Sequence, residues 1–304
     1  MVKDLSDIVR AYAARSAGGY ALATLVRAHG SSYRRPGARM LMDELGPVAG
    51  SLSAGCLEDE VAVAAREVIA TGAPKLMLFD TRRRFGCHGS IEIFVERVGE
   101  ELLVAVRDNV NARRSFLLAT NFETPPLGTR IVTDESGEFV QRIEPAIHLL
   151  IIGSGPDAAA LRSQARLLGW ESTAVESISE WNRELDTRTA AVIATHNYGR
   201  DCAALRHLLP RALAYVGVIG PRRRRDELLG DVLDAGAVVD SNLFAPAGLD
   251  LGAETPEEIA LSIVSEIQHV FAGGSGESLR DSKLPIHHAS SRDHSGGRSV
   301  VASR

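Results

Sequence analysis

Apolar residues recur at helical spacing over residues 4–16, where Leu5, Ile8, Val9 and Tyr12 share one face, so an amphipathic helix is predicted there. Residues 20–28 (YALATLVRA) predict a strand, and residues 38–44 and 46–53 predict a hairpin around Leu45, Gly46 and Pro47. Residues 57–70 predict a second helix that stops at Gly72. Residues 75–80 (KLMLFD) and 90–98 (SIEIFVERV) alternate as strands do. Over residues 99–145 a helical stretch, EELLVAVRDNVNA, precedes three short strand-like runs, SFLLATNF, GTRIVTDE and EFVQRI. These runs extend the first block, giving an N-terminal α+β domain over residues 1–145.

From His148 the texture changes. HLLIIG is continuously apolar, and ESTAVE, AAVIATH and AYVGVIG follow as strands between helices at 156–168, 200–209, 222–235 and 256–271. Apolar strands alternating with amphipathic helices imply a mostly parallel sheet covered on both faces. The fold class is therefore α/β, with a C-terminal Rossmann-like domain over residues 146–272. The last stretch, 273–304, is rich in Ser, Gly, His and Arg and is expected to be a disordered tail.

Charge changes this picture little. The chain of 304 residues carries a net charge of −5, which argues against a nucleic-acid partner. The first twenty residues read as a helix rather than a signal peptide, and no apolar run reaches the ~20 residues of a membrane span. A cytoplasmic protein with no membrane partner is expected. The cysteines Cys56, Cys87 and Cys202 form no C-x-x-C pair, which fits reduced thiols rather than a disulfide framework.

Candidate chemistry concentrates in a few loops. Gly153-Ser-Gly155-Pro156-Asp157-Ala158 follows G-x-G-x-x-A between a buried strand and a helix. In such a loop Gly153 would permit a tight turn and Gly155 would let backbone approach a pyrophosphate. Glu176, at the end of the next strand, stands where a ribose-binding acid belongs. Asp157 points the other way: it suits the helix dipole but repels a phosphate. A Rossmann-shaped domain with no dinucleotide is the alternative. His196 and the run beginning at Arg222 lie at predicted carboxyl ends of strands, where ligands of open α/β sheets bind. A hydrogen-bonded loop histidine and a solvated helix face are the plain alternatives.

In the first domain, Cys56 follows Gly55 at the predicted start of a helix, where free N–H groups and the dipole favour a thiolate. Cys87 sits in a glycine-flanked turn, Phe85-Gly-Cys-His88-Gly89. For each, a small buried hydrophobe is the alternative. Zinc fits poorly, since Cys56, Cys87 and His88 match no common zinc spacing. Arg34, Arg35 and Arg39, with Arg82, Arg83 and Arg84, could surround a phosphate-bearing ligand if the two thiol loops meet.

These segments resemble the XdhC/CoxI family. The likeness rests on Gly30-Ser-Ser-Tyr-Arg34-Arg-Pro-Gly-Ala-Arg39, Gly50-Ser-Leu-Ser-Ala-Gly-Cys56-Leu-Glu58 and Phe85-Gly-Cys87-His-Gly89. Thr195-His-Asn-Tyr198, Val218-Ile-Gly-Pro-Arg222 and Gly248-Leu-Asp-Leu-Gly-Ala-Glu254 extend it through the second half. The resemblance implies an accessory protein that binds molybdenum cofactor (molybdopterin) as cargo. It implies support of the cofactor's sulfuration with a cysteine desulfurase, and delivery to a xanthine-dehydrogenase-type enzyme. By that likeness Cys56 is the main cofactor contact and a molybdenum contact, with Cys87 as a second candidate. Ala54 and His88 depart from the family's usual glycines. The competing readings are an NAD-dependent oxidoreductase, with NAD or the nucleotide part of the cofactor in the Rossmann domain, and a pure interaction scaffold. A homodimer is compatible with each.

Overall fold

The computed structural model describes residues 2–14, 18–30, 32–55, 57–80, 89–211, 213–236, 238 and 242–281. They divide into two compact units at the junction of Pro145 and Ala146.

In the first unit, helix α1 (Val2–Ala13) buries Leu5, Ile8 and Val9, the face that the periodicity selects. Strands β1 (Tyr20–Gly30), β2 (Arg39–Asp43), β3 (Gly46–Gly50), β4 (Lys75–Asp80) and β5 (Gly89–Val98) form a sheet in the order β3-β2-β1-β5-β4. Every pairing is antiparallel. Helix α2 (Glu58–Thr71) lies on one face, where Val61, Ala65 and Val68 pack with Ala21, Ala23, Leu25 and Ile93. It ends at Gly72, whose φ of 74° forms the left-handed cap that a side chain would resist. On the other face Ile8 of α1 packs with Leu22, Leu41 and Val98. Alternate residues of β1 thus serve two cores, as a strand with both faces covered must.

Residues 99–145 form helix α3 (Glu100–Asn111) and a separate antiparallel sheet of β6 (Phe116–Asn121), β7 (Gly128–Val132) and β8 (Phe139–Ile143), in the order β7-β6-β8. Phe116, Leu118 and Ile143 pack with Leu5 and Val9 of α1 and Val106 of α3.

The second unit is the expected parallel sheet. Strands β9 (His148–Ile152), β10 (Glu171–Val175), β11 (Thr189–Ile193), β12 (Tyr215–Val218) and the two-residue β13 (Leu243–Phe244) run in the order β10-β9-β11-β12-β13. All four pairings are parallel. Helices α4 (Pro156–Leu167) and α7 (Pro256–Ala272) cover one face, α5 (Tyr198–Leu208) and α6 (Arg222–Asp234) the other. Leu149 and Ile151 face the first pair of helices, Leu150 and Ile152 the second. That double burial explains why HLLII reads as unbroken apolar sequence. The chain leaves β9 toward β10 and leaves β11 toward β12, so the crossovers diverge between β9 and β11. Ligands of open α/β sheets bind outside the strands' carboxyl ends at such a point.

Most of the expected tail lies outside the described residues; its described part ends in a 3-10 turn at Leu279–Asp281. Among the described residues no helix is long and apolar enough to cross a membrane.

Candidate functional site

The segment joining β3 to α2 carries Cys56, which lies outside the described residues, as do Cys87, His88 and Arg82, Arg83 and Arg84. The neighbours of Cys56 in the chain are held by one carboxylate. Glu58, in the first turn of α2, accepts the Ser53 N–H at 3.0 Å, the Ser53 hydroxyl at 2.6 Å and the Leu57 N–H at 3.0 Å. The Gly55 N–H donates in turn to Ser53 Oγ at 3.2 Å. Burial works to raise the Glu58 carboxyl, but the hydrogen bonds from Ser53 and Leu57 outweigh it and hold the group below its ordinary value. Glu58 is thus ionised, and it ties together the chain before and after Cys56. Gly55 is exposed with φ +102°, a conformation that favours glycine.

Arg34 joins this loop to α1. Its Nη1 donates to Ser51 Oγ at 2.9 Å and its Nη2 pairs with Asp4. Arg39 stands apart. It is only 1% exposed, and its Nη1 donates to Gly37 O at 3.1 Å and to Gln141 Oε1 at 2.5 Å. Its Nε and Nη2 have no hydrogen-bond partner among the described residues. Burial lowers its pKa to about 10, against the opposing pull of Glu96 and Asp4. Of the first unit's candidates, Gly55 and Arg34 therefore gather at the Cys56 segment, while Arg39 lies in the interior.

In the second unit the glycine loop and the segment after β11 come together. Gly153 has φ +140°, and a Cβ there would stand 2.2 Å from Ala194 O. Gly155 has φ +96°, but a Cβ there would meet nothing within 4 Å, so space opens above the loop. His196, at φ +54°, places Nε2 2.9 Å from Asp157 Oδ2 across the β9–β11 divide. The His196 side chain is 63% exposed and that of Asp157 17%.

Beside this pair, Thr195 Oγ1 bonds to Asp201, which is 1% exposed and accepts from Arg224 Nη2 at 2.6 Å. Asn197 caps α5 by accepting the Arg200 N–H at 3.1 Å. Glu176 is exposed beyond β10, 4.0 Å from Arg200 Nη1. Within the arginine run, Arg223 pairs with Glu227, Arg224 with Asp201 and Arg225 with Asp226, whereas Arg222 is exposed with no ion pair to the described residues.

Sequence reasoning gives no role to Glu58 or Asp201. The signal for the first is Ser53, five residues ahead of a helix-opening Glu58; the second sits in a helical pattern and shows itself only through Thr195 and Arg224. Cys202 is 7% exposed in the core, and burial raises its thiol pKa. Among the described residues no group of three or more His, Cys, Asp or Glu side chains could hold a metal ion.

Comparison with known proteins adds a family. Residues 13–80 match the XdhC and CoxI family, and residues 149–267 match the XdhC Rossmann domain. A Bacillus subtilis protein described as a probable xanthine dehydrogenase subunit is 29% identical over 81% of this chain and 91% of its own length. The Escherichia coli molybdenum cofactor insertion chaperone PaoD is 26% identical over 84% of each. A crystal structure from Bacillus halodurans, described as a xanthine dehydrogenase, shares the fold at a TM-score of 0.77, with 24% identity over 92% of this chain and 98% of that one.

Proposed function

Because the chain belongs to the XdhC and CoxI family, we propose that it is an accessory protein that binds molybdenum cofactor and delivers it to a xanthine-dehydrogenase-type enzyme. The names of the two relatives support this reading: one is a molybdenum cofactor insertion chaperone, the other a probable xanthine dehydrogenase subunit. The observation that carries it is the segment around Cys56. Three hydrogen bonds to Glu58 fix the chain on both sides of that cysteine, and Arg34 borders its first residue through Ser51. Flanking residues already held by hydrogen bonds cost less ordering when a ligand binds than loose ones do.

On this reading Cys56 is the cofactor's principal contact and its link to molybdenum, with Cys87, Gly55 and Arg34 as further contacts. Arg39, buried and bonded to Gly37 and Gln141, is left out of this contact set. Gly153, Gly155, Glu176, His196 and Arg222 belong to a second contact region in the Rossmann domain. The protein works in the cytoplasm as a carrier, a role compatible with a homodimer, and meets a cysteine desulfurase that sulfurates the cofactor before delivery.

The test is to co-express the chain with cofactor synthesis, purify it, and assay molybdenum and oxidised pterin. A stoichiometric load that Cys56→Ser abolishes is expected. No pterin above background, or a load indifferent to Cys56→Ser, overturns the reading. NAD in the Rossmann domain is the second reading, favoured by the glycine loop and by Glu176 at the end of β10. Calorimetric titration with NAD decides it: tight binding without any pterin load reverses the order.

A further inference from the structure

The glycine loop of the second unit opens at the β9–β11 divide, yet what it presents there is an acceptor. Asp157 follows Pro156 in the first turn of α4, and its Oδ2 takes a hydrogen bond from His196. Its Oδ1 receives none from the described residues, and the carboxylate remains partly exposed. Above the neighbouring Gly155 lies open space. A diphosphate brought to this loop would place its charge against that carboxylate, and each close like-charge contact costs binding. A group with two parallel N–H donors would instead find a matched partner, because a carboxylate accepts a donor pair on its two oxygens. The exposed His196, bound through its ring nitrogen, fixes the direction of those oxygens.

We propose that Asp157, oriented by His196 over the glycine loop, recognises the 2-amino-4-oxo pyrimidine edge of a pterin or guanine ring, and that this loop does not seat a diphosphate. Both rings carry a ring N–H beside an exocyclic NH2. The assignment rests on the carrier reading only for its choice of ring, since the cargo contains a pterin and, when extended, can carry a nucleotide. Asp157 is the specificity residue and His196 its positioning residue.

The test uses the full chain and free rings. Pterin is compared with lumazine, in which a carbonyl replaces the 2-amino group, and guanosine with inosine, which lacks that group; binding is followed by ring fluorescence or calorimetry. Charge-assisted hydrogen bonds predict a preference of about tenfold or more for the amino-bearing ring of at least one pair. Preference in the pterin pair alone identifies a pterin site, and in the guanosine pair alone a guanine site. Asp157→Asn, nearly isosteric, should abolish the preference and raise affinity for inorganic pyrophosphate. His196→Ala should weaken both rings of a pair while the preference persists.

Equal binding within both pairs, no saturable binding of any ring in the millimolar range, or pyrophosphate binding that Asp157→Asn weakens would each overturn the assignment. Cargo that co-purifies while the preference is missing defeats this assignment alone. A ring preference without co-purified cargo defeats the delivery reading and leaves the assignment standing.

Discussion

Single side chains decide whether the loops keep their shape. Glu58 takes three hydrogen bonds around the Cys56 segment. Glu58→Ala leaves those donors unpaired and should cost about 1–3 kcal/mol in urea unfolding, together with much of the pterin load. Glu138 does related work elsewhere. It accepts the backbone N–H groups of Phe122, Glu123 and Thr124. Burial works to raise its carboxyl, but the hydrogen bonds from Thr124, Phe122 and Glu123 outweigh it and hold the group at about 2 rather than 4.5. A carboxyl depressed on folding stabilises fully above pH 4.5 and loses that contribution as pH falls toward 2. Glu138→Gln should therefore melt lower than the parent at neutral pH, and the difference should shrink on acidification; thermal melts across that window check the sign. Ser53 ahead of Glu58 is the one trace of the first role in sequence and the second leaves none, because both depend largely on backbone N–H groups that a loop presents only once closed. Arg39 is legible as a cation but not as a buried one. It stands in a strand whose Met40, Leu41 and Met42 are all buried, so no alternation marks an inner face.

Elements with strong periodicity or explicit stop signals are the readable ones. Thr255, Pro256 and Glu258 announce α7, and the capping box is present with both of its hydrogen bonds. Thr255→Ala should cost about 1 kcal/mol, measured by chemical denaturation. The two-residue β13 escapes sequence reading, since its length leaves no period to detect and its pairing with β12 supplies what order it has. Turns whose glycines meet backbone are less forgiving than helix caps. A Cβ on Gly50 would stand 2.2 Å from Arg39 O, at φ +85°. Gly50→Ala should destabilise the β2–β3 hairpin by more than about 2 kcal/mol, and the loss should appear as lower soluble yield and an earlier melt.

At the scale of the molecule, the unbroken apolar strands after His148 announce a sheet buried on both faces, and the helices between them fix its parallel sense. The strand order cannot be read in the same way, because any of several orders buries the same residues. Each unit has its own apolar clusters, so residues 146–281 expressed alone should give a cooperative melt and a mixed helix–strand circular dichroism spectrum. A fragment lacking a melting transition would show that those clusters are insufficient.

The four consecutive arginines at the start of α6 are not equivalent. Three are matched by acids nearby, and only Arg224 reaches a carboxylate shut away from water. Evolutionary drift should thus be uneven along the run. Positions 223 and 225 can exchange for other polar residues at little cost to the fold, while position 224 stays arginine for as long as position 201 stays aspartate.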